Sequence, residues 1–158
     1  DDWVNLINID RCPDKMLPLL ATYCIPDTQG IYDYSETPDV NRLIPSSFEL
    51  SIKTKHVLQG FAKAAKDAGV KVQLHQAGSM FGVFFNENDV YDYATSESSD
   101  QEAFGVWFMS MLEQGIYLAP SQFETLFMSG AHSDDDIVIT IDAAEVAMKK
   151  LAEFLNNK

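Results

Sequence analysis

From Ser46 onward the apolar positions repeat with recognisable periods. Leu50, Val57, Leu58, Phe61, Ala64, Ala65 and Ala68 fall within about a third of a helical circumference. Ser46 and Glu49 stand in the S-x-x-E spacing, in which each side chain satisfies the other's free amide at a helix start, and Gly69 supplies a left-handed stop. The spacing predicts a helix from Ser46 to Ala68. Val70, Val72 and Leu74 then alternate with polar residues as a half-buried strand would, and a second strand, Met80 to Phe85, follows the turn at Ala77-Gly78-Ser79. Asn86 to Asp89 breaks it. Ser99 and Glu102 repeat the capping-box spacing ahead of Phe104, Trp107, Phe108, Met111 and Leu112, a helical stripe that ends at Gly115. Ile116 to Leu118 reads as a short buried strand closed by Ala119-Pro120. The last segment has local strand propensity at residues 137–141, yet Ile137, Ile141, Ala144, Met148, Leu151 and Leu155 step by three and four over five turns. The long period predicts a helix, capped by Ser133, with Asp134, Asp135 and Asp136 in its first turn and Lys149 and Lys150 near its end, a charge order that suits the helix dipole.

The order helix, strand, strand, helix, strand, helix predicts an α+β fold: a small, mainly antiparallel sheet of at least three strands, covered by helices on one face. Residues 1–45 differ. They hold five of the chain's six prolines and sustain neither period, so they read as an irregular proline-rich arm before a domain at 46–158. Trp3, Ile7, Leu17, Leu20, Tyr23 and Tyr32 make that arm too apolar for a solvated tail, and a segment of this kind packs across its own domain or a partner.

The chain has 158 residues, 46% of them hydrophobic, which suffices for one core and excludes a two-domain enzyme within these residues. Its formal net charge is -13, and no Lys or Arg lies between Val72 and Met148. That gap argues against nucleic acid and anionic membrane surfaces as partners, since both are held mainly by cations. No apolar run approaches the roughly 18 residues of a membrane-spanning helix. The first residue is Asp1, which suggests a processed chain or an excised fragment. Cys12 and Cys24 read as two thiols, because spacing alone does not establish a bridge.

Most side chains that invite chemistry have a structural explanation. His56, His75 and His132 share no metal-ligand spacing. The Asp134–Asp136 triplet lacks the alternation of a calcium loop and reads as helix-dipole compensation. Lys53, Lys55, Lys63 and Lys66 read as a solvated face, and the stripe Phe104, Trp107, Phe108 as core. No nucleophile elbow, phosphate loop or dinucleotide turn occurs. What remains is Tyr117-Leu-Ala-Pro-Ser-Gln-Phe-Glu124, where a strand runs out through a proline into a polar loop that ends in a carboxylate. From physics alone, the favoured reading is a turn with Glu124 as a local helix cap through Ser121-x-x-Glu124.

Gly78-Ser-Met-Phe-Gly-Val-Phe-Phe85, Gly115-Ile-Tyr-Leu-Ala-Pro-Ser-Gln-Phe-Glu124, Ser129-Gly-Ala-His-Ser133 and the acidic helix start together resemble the C-terminal small domain of glutamate-1-semialdehyde 2,1-aminomutase. The resemblance covers about residues 45–157 and includes the Pro45-Ser-Ser-Phe-Glu49 helix start, while residues 1–44 fall outside it. It implies a fold-type I, pyridoxal-phosphate-dependent, aminotransferase-like enzyme that makes 5-aminolevulinate for tetrapyrrole synthesis in bacteria and plastids. It places Glu124 at the family's small-domain glutamate, at the active-site entrance. The family's Schiff-base lysine and its phosphate- and ring-binding residues belong to a large domain that has no counterpart in this sequence. Lys15, in Cys12-Pro-Asp-Lys15-Met-Leu-Pro18, lacks the family's surroundings for that lysine. Two expectations follow. In the first, the chain alone binds no cofactor and is a non-catalytic binding or structural subunit, docked on a larger plastid complex, for instance a photosynthetic one, through residues 1–45 and the face a large domain would cover. In the second, it is a fragment or split piece of a working aminomutase, with pyridoxal phosphate held by a separate chain.

Overall fold

The computed structural model describes residues 47–158, so the proline-rich arm, both cysteines, Lys15 and the Ser46 half of the first capping box lie outside the described residues. Helix α1 (Ser47–Ala68) comes first, followed by strands β1 (Gln73–Ala77) and β2 (Met80–Phe84). Helices α2 (Tyr93–Glu97) and α3 (Gln101–Glu113), strand β3 (Leu126–Phe127) and helix α4 (Asp134–Asn156) complete the fold. The three strands form one antiparallel sheet in the order β1-β2-β3, an α+β arrangement as the periodicities predict.

Helix α1 buries Val57, Phe61, Ala64 and Ala65 along the predicted stripe. It also buries Thr54, whose Oγ1 donates to the Leu50 carbonyl at 2.8 Å and so leaves no unsatisfied hydroxyl. Gly69 ends it at φ +73°. There the Gly69 amide donates to Lys66 O and the Val70 amide to Ala65 O, closing a Schellman motif. That closure corrects one expectation: the strand predicted from Val70 begins only at Gln73, because the Val70 amide is already committed to the helix. A two-residue connection through Gly78, at φ +62°, then pairs Ala77 with Met80.

Strand β2 turns Phe81 and Val83 inward, and Phe85 just beyond it is buried as well. These three face the helices. Trp107 on α3, fully buried, meets the rings of Phe61, Phe85 and Phe104 at 5.5–5.8 Å between centroids. Helix α4 packs against both α1 and α3 through Ala143, Ala144, Ala147, Met148 and Leu151. The long period does outweigh the β-propensity of residues 137–141. At Gly60 of α1 an added Cβ would lie 2.5–2.8 Å from three side-chain carbons of Ile141 on α4, so glycine is what allows the two helices to approach so closely. The other sheet face carries His75 against Phe84, with ring centroids 5.9 Å apart.

Three further expectations are corrected. The cap of α3 is Asp100, whose Oδ1 accepts from the Ala103 amide at 2.9 Å; Ser99 is buried instead, and its Oγ accepts from Asn86 Nδ2. Ile116 to Leu118 is not a strand, because the Ile116 amide donates to Met111 O behind Gly115, and Tyr117 is exposed. The third strand is Leu126–Phe127, paired with Phe81 and Met80. Lys149 and Lys150 lie outside the last turn of α4, where no basic residue stands. Helix α2, which the hydrophobic pattern does not predict, is fixed by a reciprocal cap between Asp92 and Thr95. Ser133 caps α4 as expected, and with Asp136 it makes the same kind of box.

These caps make stability sensitive to acid. Asp136 titrates below the ordinary carboxylate range because the Ser133 hydroxyl and amide donate to it, and Asp92 because the Thr95 amide and hydroxyl do. Burial pushes Asp100 up, but the Ala103 amide and Lys158, with Nζ 3.1 Å away, more than offset this and hold it low. A carboxylate with a lowered native pKa stabilises above its unfolded value, near pH 3.9, and that contribution disappears as the pH falls through the lower native value. The urea-midpoint difference between wild type and Asp100→Asn/Asp136→Asn is therefore expected to shrink between about pH 5 and pH 2.5. A difference that holds constant over that range would refute the assignment.

Candidate functional site

The segment 116–125 leaves α3 and crosses to β3 without regular structure. Residues 116–119 and 125–128 line a cleft of about 250 Å³ together with Val57, Phe81, His132 and Thr140. Tyr117 and Phe127, both largely exposed, flank it. Glu124 immediately precedes the cleft residue Thr125, and its carboxylate is exposed. Ser121 and Glu124 do not form a capping box, because no helix follows. Instead the Glu124 amide donates to Ser121 O at 3.1 Å and the Phe123 amide to Ser121 Oγ at 3.2 Å, closing a tight turn.

Two residues that the hydrophobic pattern does not single out hold this turn. Gln122 is buried, with Nε2 donating to Ser96 O on α2 at 3.0 Å, and Phe123 lies against Tyr93 of the same helix with ring centroids 5.8 Å apart. Oε1 of Gln122 and Nε1 of Trp107 are buried and accept or donate no hydrogen bond among the described residues. The sequence signal that could have found Gln122 is a polar residue between two turn residues of a strand exit, which is weak.

The histidines are dispersed. His75 lies on the sheet face and His56 on the exposed side of α1, while His132 Nδ1 accepts from the Ser129 amide at 3.0 Å, with Ser129 Oγ 3.1 Å away. That contact organises the turn before α4. Lys53 Nζ donates to His132 O at 2.7 Å and lies 3.8 Å from Asp134, so part of the predicted solvated lysine face in fact ties α1 to the start of α4. Among the described residues no group of three or more His, Cys, Asp or Glu is placed to hold a metal ion. No helix among them is long and apolar enough to cross a membrane.

The resemblance in sequence raises the question of pyridoxal phosphate, and the described lysines do not fit it. A Schiff-base amine must be desolvated and easily deprotonated. Lys63 is instead shifted upward by its hydrogen bond to Asp67, and Lys158 by its hydrogen bonds to Glu102 and Asp100. Lys53 is held by a carbonyl and a carboxylate, while Lys55, Lys66, Lys71, Lys149 and Lys150 are exposed. The shallow depression of about 400 Å³ beside Lys66 and Lys71 is walled mainly by Ala62, Val70 and Leu74 and offers a phosphate only those two exposed amines.

No protein-family model matches the chain. Curated relatives do. The chain is 45% identical over 108 residues to a glutamate-1-semialdehyde 2,1-aminomutase of Desulfosudis oleivorans, a match covering 68% of this chain and 25% of that protein. It is 43% identical over 118 residues to the enzyme of the same name from Natranaerobius thermophilus, covering 75% and 27%. The chain thus spans about a quarter of the length of these relatives. Among solved structures, an omega-transaminase from Sphaerobacter thermophilus superposes with a TM-score of 0.55 at 19% identity, over 70% of this chain and 25% of that one. At that identity the likeness is one of fold, and the fold matched is the transaminase small domain.

Proposed function

From a chain of which about 70% is homologous to a quarter-length part of glutamate-1-semialdehyde 2,1-aminomutases, we propose that residues 47–158 serve as the small domain of such an enzyme. In this reading the domain closes one side of a catalytic cleft and presents Glu124 at its entrance to a carboxylate-, amine- or aldehyde-bearing substrate. Pyridoxal phosphate, its lysine and its phosphate-binding groups belong to a large domain. The observation that carries the reading is identity of 43–46% sustained over more than a hundred residues, far beyond what a shared fold requires. Glu124 has the chemistry for the role: it is an exposed carboxylate on a turn fixed by its own hydrogen bonds.

Reconstitution tests it. The purified chain is mixed with pyridoxal phosphate and the separately expressed large domain of a matched relative, and formation of 5-aminolevulinate from glutamate 1-semialdehyde is followed. Activity is expected from the mixture and from neither part alone, with Glu124→Gln reducing it. A borohydride-fixable, stoichiometric lysine adduct on the chain alone would overturn the assignment of cofactor chemistry to a large domain. A second reading, a non-catalytic subunit docked on a larger complex, including a plastid one, is favoured by the quarter to a third of the chain that lies outside the matches. Inactive mixtures, together with a native mass of a stable larger complex, would support that reading instead.

A further inference from the structure

We propose that Gln122 is the positioning residue for Glu124: its buried amide pins the Ser121–Glu124 turn to helix α2, so that the carboxylate and α2 behave as one unit. The inference deepens the aminomutase reading and, as regards catalysis, rests on it. Gln122 is only 4% exposed although it sits in an irregular segment between the half-buried Ser121 and the exposed Phe123. Its orientation is determined by chemistry. The partner is a carbonyl, Ser96 O at 3.0 Å, so the amide nitrogen must face it, and the opposite orientation would set two acceptors against each other. Among the described residues, Oε1 then stays buried without a partner. A loop relieves such a cost by swinging the side chain into water unless something gains from keeping it inside.

The gain is docking. Phe123, the next residue, contacts Tyr93 on the same helix, so a buried polar grip and an exposed ring contact act on α2 from adjacent positions. Within the turn, Ser121 accepts from the Phe123 and Glu124 amides, which makes the four residues stiff. A stiff turn with one buried tether has its position set by that tether. Helix α2 is itself anchored by Asn86, whose Nδ2 donates to Thr95 O at 3.4 Å and to the Ser98 and Ser99 hydroxyls just beyond the helix at 3.1 Å, and its start is fixed by the Asp92 and Thr95 cap. The line of support therefore runs from the end of β2 through α2 and Gln122 to Glu124.

The test uses the full chain and a glutamyl endopeptidase, with peptide masses reporting the cleavage rate after Glu124 and, as an internal reference, after Glu87 in the exposed loop beyond β2. Gln122→Met keeps the volume and removes the donor. It is expected to raise cleavage after Glu124 roughly two- to fivefold, the change in open population that follows loss of one ordinary hydrogen bond partly offset by removal of the unpartnered Oε1, and to leave the Glu87 rate unchanged. Equal rates in wild type and Gln122→Met, with both folded by circular dichroism, would overturn the proposal. Hydrogen exchange on the wild-type protein covers the case in which the variant does not fold. The amides of residues 123 and 124 are expected to share the protection of residues 95–97, and unprotected turn amides beside a protected α2 would overturn the pin. In the reconstituted enzyme, Gln122→Met and Glu124→Gln are expected to be non-additive in kcat/KM, whereas full additivity would overturn the positioning role. Because proteolysis and exchange need no catalysis, failure of the aminomutase reading leaves them decisive.

Discussion

Trp107→Ala is expected to cost about 3–5 kcal/mol, the range for removing a fully buried large aromatic side chain. For a domain whose whole stability is on the order of 5–15 kcal/mol, that is about a fifth of it or more, and urea unfolding followed by far-ultraviolet circular dichroism should show a much lower midpoint or no folded baseline. The reason lies in the position of the ring, fully buried and in contact with Phe61 on α1, Phe85 at the end of β2 and Phe104 on its own helix. Removing it leaves three rings from three elements around a void that cannot collapse without moving all of them. Trp107→Phe should lose much less. It keeps an aromatic centre and removes Nε1, a buried donor that makes no hydrogen bond among the described residues, so part of the lost contact is offset. A Trp107→Ala midpoint equal to that of wild type would show that the ring cluster is not the core's organising contact.

The second large effect changes sign with its background. Gly60→Ala alone should destabilise by about 1–3 kcal/mol, because the new methyl meets Ile141 carbons next to its rigid branch and α1 and α4 must separate. With Ile141→Ala already in place those carbons are gone. The same Gly60→Ala change should then stabilise, by up to about 1 kcal/mol, through the helix propensity that glycine lacks. A double-mutant cycle by urea denaturation reads the coupling directly, and simple additivity of the two changes would sink the account.

The three long helices, α1, α3 and α4, were legible in the sequence because their signals are redundant. On α4, a Ser133 cap, three acidic residues in the first turn and five turns of apolar spacing all agree, and they outweigh the strand propensity of residues 137–141. The strands were legible only in part, and two of the errors share one cause. Val70 and Ile116 each follow a glycine that stops a helix, and each looks like the start of a strand. Each spends its amide on a carbonyl of the preceding helix, Ala65 O and Met111 O respectively, which removes it from any ladder. Hydrophobic alternation records which side chains are buried and carries no information on where the amide is committed. For the candidate site, Glu124 stood out as a carboxylate ending a strand exit. Its support through Gln122 depends on Ser96, a contact 26 residues away in sequence, through a helix of five residues too short to show a period.

The placement of β3 bears on how such a site comes to be ordered. The β1–β2 hairpin closes across two residues, but pairing Phe127 with Met80 closes a chain loop that contains all of α2 and α3. The entropy lost in closing that loop is recovered only after both helices have docked, and a ladder of two residues contributes little towards it. The segment from Ile116 to Thr125 therefore takes its shape from a core already assembled around it. Its geometry is inherited from distant parts of the chain, so Glu124 can be tuned by substitutions far from it that alter no residue of the loop.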